Sequence, residues 1–400
     1  MSRKPTEPTV GILVHGDNHF IVRGPLPGRA TALALVHHWS IIQIATLQVS
    51  GTMPPALNRW SITTKEFREN LTWAVIVPGE REITPAVVNL LAELAARGIA
   101  IYNTNTMERS GLHLYALLAA FCALLLVMTG AALTSSLVQT KPALNNIAMF
   151  QSLHSGAAVA VVLLTIGLAI WISLAEERAW LIHLSWITCA AVIAEGGLGL
   201  MAGGLRPPTQ LAASGPPTGW LGTLHACLAA LVFVAFAAIA LATSRTWSRD
   251  PELVQDYGWP SNRSLSAATA LLVAIQVAFG AAFRHNLVSV MWHLLGALVV
   301  ALFIMIVGAF VSNQFPKHPT LRPMAVALMV ITGIQVFLGM TAFIMRLMES
   351  AAATAYLAIS VAHVATGSLT FAAGMLLAME VRRSVRPRDP KPATVPEPRP

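Results

Sequence analysis

Four histidines, His154, His225, His293 and His363, stand in stretches that are otherwise apolar, such as MFQSLHSGAAVAVVLL (149–164) and VMWHLLGALVVALF (290–303). An ionisable ring is costly inside a bilayer and marks a functional candidate there. The spacing repeats. His154 and His225 lie 71 residues apart and His293 and His363 lie 70 apart, while the offsets between the pairs are 139 and 138. A neutral imidazole has two uses in such a setting: it hydrogen-bonds a neighbouring helix, or it ligates a metal. Two imidazoles on facing helices are a normal axial pair for a heme iron. Matched positions weigh towards ligation for all four.

Other polar residues accompany them. Gln276-x-x-x-Gly280, Gln335-x-x-x-Gly339 and Glu195-x-x-x-Gly199 each put a polar side chain one helical turn before a glycine. The glycine permits close helix approach and an amide can hydrogen-bond across it. In the third case the amide is replaced by an acid near the membrane middle. Glu195 is either a proton-handling group or a neutral stand-in for glutamine. Arg284 follows GAAF and is placed at the membrane surface near the second histidine pair. It is either a partner for anionic groups such as heme propionates or a plain topology anchor.

Eight apolar runs of about twenty residues or more, the length that crosses a bilayer, must position these groups. They fall near 112–134, 147–174, 180–203, 218–243, 264–283, 287–311, 320–345 and 354–380. Charged residues make up only 11% of the chain, against about a quarter in soluble domains, so the middle of the chain is a membrane domain. The formal charge of +8 collects in the tails and in alternate loops, which gives no case for nucleic acid. The loops after even spans and the tail hold more Lys and Arg than the loops bearing Lys141, Arg206, Arg284 and Arg346. Both termini are therefore expected in the cytoplasm of a multi-pass protein of the cell (inner) membrane. All four histidines then share one depth, in the outer leaflet. Cys122, Cys189 and Cys227 lie far apart in apolar runs and suggest neither disulfides nor a thiolate site. His113 and His183 lack repeat partners and read as interfacial.

The membrane part repeats itself. Leu198-Gly199 corresponds to Leu338-Gly339, and Thr129-Gly130-Ala131-Ala132 to Phe279-Gly280-Ala281-Ala282. A duplicated four-helix unit accounts for this. The expected fold is thus an all-α polytopic membrane protein of eight transmembrane helices in two tandem four-helix bundles, 110–245 and 260–381. A small soluble α/β domain over 1–105 precedes it. That domain is expected to hold a hairpin across TVGILVHGDNHFIVRG (9–24), a helix over 84–98 and a strand at GIAIYN. Residues 384–400, rich in Pro and Arg, are expected to be disordered.

Eight spans in two similar halves, a histidine in every even span, and GAAFRH closing span five together resemble the heme A synthase family of cytochrome oxidase assembly. The resemblance covers about residues 110–380. It implies a heme-dependent membrane oxidoreductase that oxidises a methyl group of heme O to the formyl group of heme A. His293 and His363 would ligate a resident heme b, and His154 and His225 would hold the heme substrate. The implied partners are heme O synthase or cytochrome oxidase assembly factors and an unidentified electron donor, with homo-oligomerisation left open. Where the family has a glutamate three residues before the first histidine and an arginine after it, this chain has Gln151 and Ser155. Its first outer loop, SSLVQTKPALNN, has no cysteine pair. Either Glu195 supplies the missing acid, or the protein is a non-catalytic b-heme electron carrier or assembly partner. A transporter built from parallel repeats fits less well, with one charged residue at the midplane and no broken helix.

Overall fold

The computed structural model describes residues 111–137, 143–215, 219–248, 251–256, 259–348 and 353–387, together with the backbone of residues 104–110 and of five strands nearer the N-terminus. The chain divides at Ser110 into two compact units.

The first unit contains β1 (Thr9–His15), β2 (Asn18–Gly24), β3 (Gln43–Ala45), β4 (Leu71–Val77) and β5 (Ala100–Asn103), in the sheet order β3-β4-β1-β2-β5. β1 and β2 pair antiparallel from Thr9↔Gly24 to His15↔Asn18, the register expected around the Gly-Asp-Asn turn. β1 runs parallel to β4. The helix expected over 84–98 lies outside the described residues, and with it the α/β character of this unit.

The second unit is all-α. It contains eight helices long and apolar enough to cross a membrane: α1 (Gly111–Leu137), α2 (Leu144–Ala175), α3 (Ala179–Gly199), α4 (Gly219–Thr243), α5 (Asn262–Arg284), α6 (Val290–Gln314), α7 (Leu321–Leu347) and α8 (Ala353–Ser384). The chain is a multi-pass membrane protein. Each helix begins and ends within a few residues of its apolar run, because backbone N–H and C=O groups in lipid have no partner except their own helix. Hydroxyls follow the same rule: Thr188 donates to the Leu184 carbonyl at 2.7 Å and Thr332 to Leu328 at 2.7 Å. Leu163, Leu298 and Phe337 point outwards, 65–70% exposed, as lipid-facing side chains do.

Lipid is as apolar as Leu, so helix association here rests on close packing and interhelical hydrogen bonds. Consecutive helices pack from α2 to α4 and from α5 to α8, and α8 returns to α5. His113 on α1 ties that helix to α4 through the Ala240 carbonyl at 2.9 Å. α4 also contacts α5 and α8. Its apolar window is 56% buried, against 11–39% for the other helices, which makes α4 the central element, with Phe236 and Ile239 fully enclosed.

At the end away from the histidines, buried charge is paired. Glu380 accepts from Thr320 and Ser384 at 2.8 and 2.9 Å and lies 3.7 Å from Arg383. Glu176 and Arg178 pair at 2.6 Å, and Arg178 also donates to the Ala242 carbonyl. The segment expected to be disordered from 384 starts ordered. Ser384 is buried, and Val385 and Arg386 form β7, parallel to β6 (Val254–Gln255). Residues 388–400 lie outside the described residues.

Candidate functional site

The four histidines come together as two pairs. His154 on α2 faces His225 on α4, with ring centres 6.3 Å apart and planes at 86°. His293 on α6 faces His363 on α8 at 6.1 Å and 83°. The two arrangements are nearly the same, as the sequence repeat requires.

Each ring lies against a glycine of the preceding helix. A methyl group added at Gly130, Gly199, Gly280 or Gly339 would lie 2.9, 3.3, 3.0 or 2.6 Å from Cε1 of His154, His225, His293 or His363, respectively. Any side chain there would displace the imidazole. The glycines expected to allow close helix approach therefore form the back wall of four histidine cradles.

The residue one turn before each glycine meets Nδ1. For His154 it is the Leu126 carbonyl at 3.2 Å, with the Thr129 hydroxyl at 3.3 Å. For His225 it is Oε1 of Glu195 at 3.0 Å. For His293 it is Nε2 of Gln276 at 2.8 Å, which also donates to the His293 carbonyl. For His363 it is the Gln335 carbonyl at 3.1 Å. The Gln335 amide nitrogen lies 3.4 Å from Nε2 of His363, and its oxygen accepts from Thr366. Gln276, Gln335 and Glu195 were visible in sequence as a polar-x-x-x-Gly pattern. Leu126-x-x-x-Gly130 is the fourth member. It escapes a search for polar side chains because its backbone oxygen makes the contact.

Glu195 is 8% exposed. Its contact with His225 has hydrogen-bond length but not hydrogen-bond alignment, so both carboxyl oxygens and Nδ1 of His225 are buried without a hydrogen bond. Six such side-chain atoms occur among the described residues, and four belong to these cradles: these three and Oε1 of Gln276. Buried polar atoms normally find partners. Their concentration here marks a site whose groups are held for something other than one another.

The two pairs differ in their walls. Phe283 stacks parallel to His293 at 6.3 Å and 10°, and Arg346 lies over Phe283 at 5.0 Å. Phe279 stacks on Trp292 at 6.3 Å. In the first repeat Thr129 and Leu133 stand where GAAF-based alignment puts Phe279 and Phe283. The second pair has an aromatic wall, and the first has a hydroxyl and an acid. These walls are built from residues that do not repeat between the halves, so the duplication itself carries no signal for them.

Arg284 and Gln151 each tie neighbouring segments together. Nη2 of Arg284 donates to the Ala131 carbonyl at 2.7 Å and the Ser135 hydroxyl at 2.6 Å. It thus ties the end of α5 to the end of α1. Gln151, three residues before His154, donates to the carbonyls of Gly204 and Arg206 at 3.2 and 2.9 Å. It secures the π-helical turn Leu200–Gly204 that ends α3. An amide N–H suits two carbonyl acceptors, and a carboxylate does not. The cysteines are free thiols, and no group of three or more His, Cys, Asp or Glu able to hold a metal ion occurs among the described residues.

In three cradles Nδ1 faces an oxygen; that leaves Nε2 of His154 and His225 for ligation, while Nε2 of His363 also meets the Gln335 amide nitrogen at 3.4 Å. Two metal–imidazole bonds of about 2 Å each, plus the distance from nitrogen to ring centre on both sides, come to about 6 Å. Both pairs are spaced for one metal between two rings. No protein-family model matches the chain, and no curated protein sequence matches it.

Proposed function

We propose that the protein is a membrane heme oxidoreductase of the heme A synthase type, with a b-type heme between His293 and His363 and heme O as substrate between His154 and His225. The observation that carries this reading is the pair of histidine–histidine separations, 6.3 and 6.1 Å. Two imidazoles fill two coordination positions, and the described residues offer no third ligand. A porphyrin brings the remaining nitrogens itself. A bare ion would lack them. The glycine cradles and the orphaned polar atoms at the histidines fit the same conclusion.

The bound heme b supplies electron transfer. The chain's own residues hold and orient. The Phe283 wall and the Gln276 and Gln335 contacts fix the second pair of rings, which suits a resident cofactor. The first pair has Glu195 and Thr129 beside it. Oxidation of a methyl to a formyl group takes its oxygen from water and releases four protons and four electrons. The electrons leave to the unidentified partner, and the Glu195 carboxylate at the substrate pair gives the protons a first acceptor. In this reading both termini face the cytoplasm of the inner membrane. Heme O synthase supplies the substrate, oxidase assembly factors receive the product, and an unidentified partner exchanges electrons.

A second reading is a non-catalytic b-heme carrier or oxidase assembly partner. Gln151 favours it, since the position that resembles the family's glutamate is an amide engaged with two backbone carbonyls. Heme extraction from cells co-expressing the protein with a heme O synthase separates the two. A formyl heme supports the enzyme. A b-type spectrum without formyl heme supports the carrier.

A further inference from the structure

Among the four histidine cradles, only that of His225 puts an acid on Nδ1. His154 and His363 have backbone carbonyls there, at 3.2 and 3.1 Å, and His293 has an amide at 2.8 Å. Oε1 of Glu195 lies 3.0 Å from Nδ1 of His225. Gly199 keeps the ring close, since a methyl there would sit 3.3 Å from Cε1. Neither the carboxyl nor Nδ1 has a hydrogen bond to any other group. The acid therefore addresses the side of the ring opposite the nitrogen left for a metal.

We propose that Glu195 is a positioning residue for His225, which makes the first metal site electronically unlike the second. The inference rests on the heme reading above. With iron on Nε2, the ring proton is confined to Nδ1, and the ring must donate it to whatever stands there. A small rotation of the ring or carboxyl aligns the 3.0 Å contact into a hydrogen bond. An ionised carboxylate oxygen is a stronger acceptor than a carbonyl or amide. It increases the basicity of the ligand and stabilises ferric over ferrous iron, because hydrogen bonds around a ligand are among the determinants of heme potential. The first site is thereby set at a lower midpoint potential than its histidines alone would give, and electrons released there flow downhill to the second. Glu195 acts through His225 and need not touch the reacting methyl group.

The test is a spectroscopic redox titration of the purified full-length protein loaded with heme. The first-site component is identified by its loss in His225→Ala. In Glu195→Gln the first-site midpoint should rise, with the second-site midpoint unchanged. The converse variant, Gln276→Glu, puts an acid on Nδ1 of His293 and should lower the second-site midpoint alone. It also keeps the proposal testable if Glu195→Gln does not accumulate. Two resolved heme components whose midpoints are unmoved by both variants, or move together, overturn the proposal and leave the heme reading standing. A wild-type protein that takes up no heme overturns both.

Discussion

Gly339 and His363 are in such close register that a methyl on the glycine would lie 2.6 Å from Cε1 of the ring, the tightest of four equivalent contacts. Overpacking a fitted interior costs about 1–3 kcal/mol. Alanine at the four glycines should therefore destabilise in the order of their clearances: Gly339 (2.6 Å) most, then Gly130 and Gly280 (2.9 and 3.0 Å), and Gly199 (3.3 Å) least. Thermal unfolding in one detergent measures this. A reversed order between Gly339→Ala and Gly199→Ala would count against the cradles.

Gln151→Glu tests whether the position that resembles the family's glutamate keeps a latent catalytic function. The substitution replaces a donor to two exposed carbonyls with an acceptor, and losing ordinary hydrogen bonds that water can replace costs at most about 0.5–1.5 kcal/mol each. We expect a lower Tm and no gain in formyl heme during co-expression with a heme O synthase. A gain would show that an acid at 151 reaches the substrate.

Most of the scaffold was legible in the sequence. Lipid forces each crossing to be a long apolar helix, so eight runs gave eight helices, and the histidines form two like pairs. The remainder depends on contacts between distant residues. Arg284 was placed near the surface, but its reach to Ala131 and Ser135 is set by how α5 meets α1. Leu126 contributes a backbone atom, which no side-chain pattern reveals. The pairing of Val254 with Val385 joins two-residue strands, too short to leave a periodic signal.

Arg284→Ala should weaken the junction between the two halves. Its bonds to the Ala131 carbonyl and the Ser135 hydroxyl involve a charged donor, a class that contributes about 1.5–3 kcal/mol each. Ser135→Ala should reproduce part of the loss, and the double variant should be less than additive. Full additivity in Tm would mean that the two residues act separately.

His113 provides the contrast. His113→Ala removes the link to the Ala240 carbonyl, and should lower stability by about 0.5–1.5 kcal/mol while leaving any heme spectrum unchanged. His183→Ala should leave that spectrum unchanged as well. A spectral change in either variant would place a ligand outside the two pairs.

Glu195→Gln carries the enzymatic claim. The substitution restores the side-chain type found at Gln276 and Gln335, so packing should survive. Heme at His293 and His363 should be kept, and heme O oxidation should fall sharply. Full oxidation in this variant would make Glu195 dispensable.

The central claim, that the facing pairs are axial ligands, is tested most directly by the reduced-minus-oxidised absorption spectrum of the purified full-length protein, compared with its His293→Ala and His363→Ala variants. The wild type should show a low-spin b-type spectrum, as bis-imidazole ligation requires. Each variant should lose or alter it. An unchanged low-spin spectrum in both variants, or no heme spectrum in the wild type, would contradict the assignment.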